Sequence, residues 1–107
     1  MKVRPHSHYE ARARVAKAMA HPTRLLLLDV LTQSERCVAD LTEIVGADQS
    51  TVSKHLAVLR NAGLLAARRS GAQSFYRLKV PCLEGFWACI EKVLSKSLEE
   101  QAAALKR

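Results

Sequence analysis

The sequence predicts a small, mainly helical domain that carries one β-hairpin before a long final helix. Apolar residues recur at helical spacing in four successive segments up to residue 62. The pattern then changes to two short strand-like runs around Gly71, and it returns to helical spacing after Pro81. The expected order of elements is therefore α-α-α-α-β-β-α, in a single domain over residues 1–107.

The first third of the chain is expected to form an arm and two packed helices. Residues 1–8 have no apolar periodicity and predict a flexible arm. Residues 9–20 have helical spacing and are rich in alanine, and His21-Pro22 interrupts them because the residue before proline avoids the helical region. The next helix, about 23–32, is so rich in leucine that it should form the centre of the core. We assign residues 9–32 to the core and to contacts with a second copy.

Residues 38–62 predict two short helices joined by a tight turn. The second of them, within Asp48 to Gly63, carries polar residues on one side and an apolar stripe on the other. That stripe consists of Val52, Leu56 and Leu59. Asp48 is suited to cap the helix, and Gly63 is suited to a left-handed stop after its last turn. A short helix, a turn containing glycine and a second helix with a polar front are typical of a helix-turn-helix.

The remaining residues predict a wing and a dimerisation helix. Residues 64–79 form two strand-like runs around Ser70 to Gln73, which indicates a β-hairpin. A hairpin that follows a helix-turn-helix is a wing, so the expected fold is a winged helix-turn-helix. Residues 81–104 carry a broad apolar stripe that the small hairpin cannot cover. We therefore expect a homodimer formed through the first and last helices.

Charge indicates a nucleic-acid partner. The chain has 17 Lys and Arg against 10 Asp and Glu, a net charge of +7, and no Asp or Glu from Gln49 to Leu83. The second helix of the helix-turn-helix is the candidate for the major groove of duplex DNA, and the wing is the candidate for the phosphates. The candidate DNA-binding residues are Gln49, Ser50, Thr51, Ser53, Lys54, His55, Arg60, Arg68, Arg69 and Gln73. Binding through them should weaken steeply as salt rises.

The three cysteines and the absence of an enzyme motif narrow the classes of protein to which this chain could belong. An odd number of cysteines without a signal-peptide pattern favours free thiols in a reducing cytoplasm. No apolar run approaches the roughly 20 residues that a membrane-spanning helix needs. The sequence has no phosphate-binding glycine loop and no recognisable catalytic constellation, so an enzyme is not expected, and neither is an organic cofactor.

Several motifs of this chain resemble those of the ArsR/SmtB family of bacterial metal- and metalloid-responsive repressors. They are His21-Pro22-Thr23-Arg24, the stretch from Glu35 to Leu41, the stretch from Ser50 to Leu56, Leu59 to Leu64, and Phe75-Tyr76-Arg77-Leu78. The resemblance implies a dimeric winged-helix protein that binds operator DNA and releases it when an inducer binds. It also implies that Ser50, Thr51, Ser53, Lys54 and His55 face the DNA.

The inducer suggested by the resemblance is a thiophilic metalloid or metal, such as As(III) or Sb(III). Arsenic-sensing members carry Cys-Val-Cys-Asp-Leu where this chain reads Cys37-Val38-Ala39-Asp40-Leu41, so one motif thiol is missing. Trivalent soft ions favour several thiolates, and we therefore hypothesise a site drawing on Cys37, Cys82 and Cys89, within one chain or across the dimer. Two alternatives stay open: a thiol-based redox or persulfide sensor, and a ligand-independent DNA-binding protein whose cysteines are structural.

Overall fold

The computed structural model describes residues 1–106 and has the predicted mainly helical architecture with a wing. The elements are α1 (His6–Met19), α2 (Pro22–Gln33), β1 (Arg36–Cys37), α3 (Val38–Val45), α4 (Gln49–Asn61), β2 (Leu65–Ser70), β3 (Gln73–Leu78) and α5 (Leu83–Leu105). The predicted helices and hairpin are confirmed, with ends that shift by at most three residues. The two-residue strand β1 was not predicted.

The core forms where α2, α3 and α4 meet the start of the hairpin. Leu27 and Leu28 of α2 are fully buried, as the leucine-rich sequence predicts. Leu41 of α3 and the stripe of α4 pack against them, and Leu65 at the start of β2 closes the cluster. Burial of these side chains holds the two helices of the helix-turn-helix at a fixed angle.

The first helix begins earlier than predicted, and the arm is correspondingly shorter. We expected a flexible arm over residues 1–8, whereas α1 starts at His6. Pro5 stands at the cap position with extended angles, and its carbonyl accepts a hydrogen bond from the His8 amide at 2.9 Å. The first turn of α1 is exposed on all sides. It carries no apolar periodicity for that reason, and sequence patterning could not detect it.

The strand β1 converts the predicted hairpin into a three-stranded antiparallel sheet of order β1-β3-β2. Arg36 pairs with Tyr76 and Cys37 pairs with Phe75. Two residues are too few for an alternating pattern, and their partners lie about 40 positions away along the chain. Strand β1 pairs with β3 of the wing and is followed immediately by α3, so it connects the wing to the start of α3.

The last helix extends away from the core. It begins at Leu83, two residues after the predicted start at Pro81, and Leu83 is its buried residue. The radius of gyration is 17.0 Å, against about 13 Å for a globular chain of this length. Beyond Trp87, Val93 and Leu98 are about two-thirds exposed. None of the helices in residues 1–106 combines the length and apolar character required to cross a bilayer.

Candidate DNA-binding surface

The start of α4 is fixed by the cap that the sequence predicts. The Asp48 carboxylate accepts hydrogen bonds from the Thr51 amide at 2.8 Å and from the Ser50 hydroxyl at 2.9 Å. The hydrogen bond from the Thr51 amide has the largest effect in lowering the pKa of Asp48, followed by the hydrogen bonds from the hydroxyls of Thr51 and Ser50. At the other end, Gly63 has a φ of 88°, a left-handed conformation that favours glycine. Both ends of the candidate reading helix are therefore defined by local chemistry.

One row of side chains on α4 points directly away from the core. Val52, Leu56 and Leu59 are fully buried on the inner side. The opposite side, at spacings of four and three residues, carries Ser50, Lys54, Ala57 and Asn61, all exposed. We call these four residues the outward row. A hydroxyl, an amide and a methyl group in such a row suit the edges of bases, and the ammonium suits phosphate.

The other candidates on α4 take different positions. Gln49, Thr51 and Arg60 are exposed beside the outward row, whereas Ser53 is half-buried. Ala57 and Asn61 are not among the candidates predicted from the sequence, which are polar and charged residue types concentrated near the start of the helix. The helical spacing from Lys54 was the signal that could have found them.

The family resemblance implies that His55 faces the DNA, whereas in the structure its side chain is directed toward α1 and α2. His55 is half-buried on the side of α4 that meets α1 and α2. Its Nδ1 accepts a hydrogen bond from the Nε of Arg24 at 3.1 Å, and its ring centroid lies 4.4 Å from that of His21. Burial, then the neighbouring His21 and Arg24, lower the pKa of His55. His55 therefore fastens α4 to the rest of the domain.

The wing carries the remaining candidates. Its tip turns at Gly71, with a φ of 63°, and places Gln73 and Arg69 in exposed positions on either side. Arg77 is exposed on β3. Arg68 is directed to a partner within the chain, because its Nη2 donates to the Glu35 carboxylate at 2.6 Å. Sequence reasoning assigned Arg68 to phosphate and did not foresee this pairing.

The three thiols occupy separate environments. Cys37 is buried at the junction of β1 and α3, while Cys82 and Cys89 are exposed at the start of α5 and within it. Within residues 1–106, no three histidine, cysteine or acidic side chains are close enough together to hold a metal ion. A single chain therefore does not assemble the predicted three-thiol site.

Residues 21–67 match a family model described as "Bacterial regulatory protein, arsR family". An uncharacterized HTH-type transcriptional regulator of Mycobacterium tuberculosis, Rv0081, is 36% identical over 99 residues, which make up 92% of this chain and 87% of that protein. The chain belongs to the ArsR family. This ArsR-family chain is a transcriptional regulator and not an enzyme, as the sequence predicts.

Solved structures and a second relative agree with the ArsR assignment. The crystal structure of M. tuberculosis Rv0081 is 35% identical with a TM-score of 0.80, covering 94% of this chain and 99% of that one. A solution structure from Mycobacterium bovis, described as a homodimeric winged helix-turn-helix DNA-binding domain, has a TM-score of 0.77 at 33% identity and covers 94% and 93% of the two chains. The M. tuberculosis repressor SmtB is 35% identical over 74 residues, which are 69% of this chain and 55% of that repressor.

Proposed function

We propose that this ArsR-family chain is a cytoplasmic, homodimeric repressor that binds duplex operator DNA through the outward row of α4 and the wing. The observation that carries the proposal is the segment from Gln49 to Lys79, which contains no Asp or Glu and exposes Lys54, Arg60, Arg69, Arg77 and Lys79. Such a segment attracts phosphates through its cations and presents hydrogen-bonding groups to bases. The M. bovis neighbour, described as a homodimeric DNA-binding domain, supports the same role.

A dimer accounts for the apolar surface that one chain leaves uncovered. Leu94 of α5 is half exposed and Leu25 of α2 is more than a third exposed, and both line a groove with Trp87. A second groove runs between α1 and α5 and includes Val15 and Phe86. A second copy seated on these helices would bury both grooves and present two copies of α4 to a two-fold symmetric site.

DNA binding is tested by the salt dependence of the affinity. Duplexes are selected from a randomised pool by the wild-type protein, and the dissociation constant is measured at several salt concentrations. We expect the selected duplexes to share a two-fold symmetric sequence, and we expect a steep loss of affinity as salt rises. The slope of log association constant against log salt concentration should be about −0.9 for each phosphate contact. Failure to bind any duplex at low salt, or an affinity that hardly changes with salt, would refute the proposal.

The release signal that we propose is a thiophilic metalloid or metal such as As(III) or Sb(III), held by Cys37, Cys82 and Cys89 drawn from two copies. Cys37 supports this idea because it precedes α3, whose C-terminal end leads into α4. A ligand there can favour a dimer in which the two α4 helices no longer match successive major grooves. To change the DNA-competent population from 99:1 to 1:99, it must prefer the released state by about 5.5 kcal/mol.

Inducer identity is tested by release of the selected duplex. As(III), Sb(III), Cd(II), Zn(II) and a mild oxidant are titrated at one salt concentration into the wild type and the three single Cys→Ser variants. We expect As(III) or Sb(III) to release DNA from the wild type and to lose potency in the variants. Equal release in the wild type and all variants would exclude a thiol site.

A thiol-based redox or persulfide response is the second candidate, and the exposure of Cys82 and Cys89 favours it. Cys82 has helical backbone angles, so about 10 Å of helix separates the two residues and an internal disulfide would require the helix to open. A disulfide between the cysteines of two copies would not require the helix to open. Release by oxidant alone, reversed by a thiol reductant without metal, would select this candidate.

A further inference from the structure

Glu35 and Arg68 form a bidentate ion pair between the turn before β1 and the middle of β2. The Nε of Arg68 donates to both carboxylate oxygens at 3.1 and 3.2 Å, and its Nη2 donates to one of them at 2.6 Å. The hydrogen bond from Arg68 lowers the pKa of Glu35, so the carboxylate stays ionised near neutral pH. Two parallel donors fix direction as well as distance, which a single point charge does not.

The pair spans the whole sheet. Phe75 of the central strand is directly opposite Arg68 on one side and Cys37 on the other. The guanidinium of Arg68 also lies over the Phe75 ring, with its carbon 4.6 Å from the ring centroid. Glu35 precedes β1, which leads without a break into α3. The guanidinium of Arg68 therefore contacts both the ring of Phe75 and the carboxylate of Glu35.

We propose that Glu35 is a wing-positioning residue, which through Arg68 sets the angle of the β2–β3 hairpin relative to the helix-turn-helix. Arg68 then acts on DNA binding by holding the wing, and not as a phosphate ligand. This inference rests on the proposed function, in which the wing meets the DNA backbone. To clasp a phosphate with the same two nitrogens, Arg68 would first have to leave Glu35.

The sign of one substitution separates the two roles of Arg68. Glu35→Gln removes a negative charge beside the wing and raises the net charge by one. If Glu35 only competes with phosphate for Arg68, this change frees the guanidinium and tightens DNA binding. If Glu35 positions the wing, the change loosens the hairpin and weakens binding in spite of the added positive charge.

The experiment compares Glu35→Gln and Arg68→Lys with Glu43→Gln as the charge-matched control. Glu43 is exposed on α3 and takes part in no ion pair among residues 1–106. Lysine keeps the charge of Arg68 but loses the planar fork. We expect Glu35→Gln and Arg68→Lys each to weaken binding to the selected duplex by about threefold to fivefold, with an unchanged salt slope. Glu43→Gln should leave the affinity unchanged or slightly tighter.

Two results would overturn the inference while leaving the proposed function intact. One is a wild type that binds DNA and a Glu35→Gln variant that binds as tightly or more tightly. The other is an Arg68→Gln variant whose salt slope falls by about 0.9, the signature of a lost phosphate contact.

A second measurement needs no DNA and so does not depend on the proposed function. Amide hydrogen exchange is followed at the β1–β3 pairs, where Arg36 meets Tyr76 and Cys37 meets Phe75. We expect faster exchange there in Glu35→Gln and Arg68→Lys than in the wild type and Glu43→Gln. Equal exchange in all four proteins would show that the ion pair does not hold the wing.

Discussion

At the scale of single residues, His55 shows how the partners of a side chain decide its role. It stands between Lys54, which is exposed, and Leu56, which is fully buried. Arg24 links it to the end of α1, since its Nη1 donates to the Ala18 carbonyl at 3.1 Å while its Nε donates to His55. Because His55 accepts this bond on Nδ1, its protonation would remove the acceptor and place a third potential cation beside Arg24 and His21.

We expect this arrangement to make the stability depend on pH. The folded state lowers the pKa of His55 from its ordinary value of 6.5, so its neutral form favours folding. The stabilisation is complete above that value and is lost as the pH falls through the lower pKa of the folded state. The free energy of unfolding, measured with denaturant from about pH 8 to about pH 5, should therefore decrease more in the wild type than in His55→Gln.

Glutamine is the matched control, because its side-chain oxygen can accept from Arg24 and does not titrate. The two proteins differ at this position alone, so the difference between their pH profiles reports His55. Identical profiles would contradict the role assigned to the histidine.

At the scale of elements, helical spacing alone gives α4 one buried side and one exposed side. Leu56 is fully buried and Lys54 is exposed in the outward row, although the two residues lie only two positions apart in the sequence. The same 3.6-residue period that buries one side of a helix exposes the other. Substitutions on the two sides should therefore have different consequences.

We expect Lys54→Gln to weaken DNA binding and to reduce the salt slope by about 0.9, with an unchanged free energy of unfolding. Leu56→Ala should instead lower the free energy of unfolding by about 2 to 5 kcal/mol, because it leaves a cavity in the core. Denaturant unfolding and salt-dependent DNA binding, measured on both variants, check this separation. A Lys54→Gln variant with the wild-type salt slope would exclude Lys54 from the phosphate contacts.

The elements that the sequence could predict are those specified by local signals. The cap at Asp48, the left-handed Gly63 and the apolar stripe of α4 are each encoded within a few residues, and all three are confirmed. Strand β1 and the Glu35–Arg68 pair depend on partners 33 or more positions away. No local pattern carries that information, which explains why the sequence assigned Arg68 to phosphate and left Glu35 without a role.

At the scale of the whole molecule, one chain has the elongated shape expected of one subunit of a dimer. Its longest dimension is 59 Å and its shortest is 21 Å, because α5 extends beyond the core. The exposed apolar residues of this helix include Phe86, Val93, Leu94 and Leu98. An isolated helix with such a stripe gains little stability from its own contacts, so we expect its order to depend on the second copy.

We expect Leu94→Glu to raise the dissociation constant of the dimer by more than about tenfold, because pairing would bury an unpaired carboxylate. Val3→Glu is the matched control, since it introduces the same charge on the exposed N-terminal segment. Sedimentation equilibrium on both variants measures the effect, and DNA affinity should fall with dimerisation. A Leu94→Glu variant that dimerises like the control would place the interface elsewhere.

The burial of Cys37 has a kinetic consequence. Its backbone pairs with Phe75 and the residue is 8% exposed, whereas Cys82 and Cys89 are exposed. A bulky electrophile reaches a buried sulfur during transient separation of the strands, so its alkylation rate is limited by the population of that open form. If an inducer binds Cys37 as proposed, its apparent affinity would be reduced by the small population of the open form. Stronger hydrogen bonds within the sheet would then raise the inducer concentration needed for release.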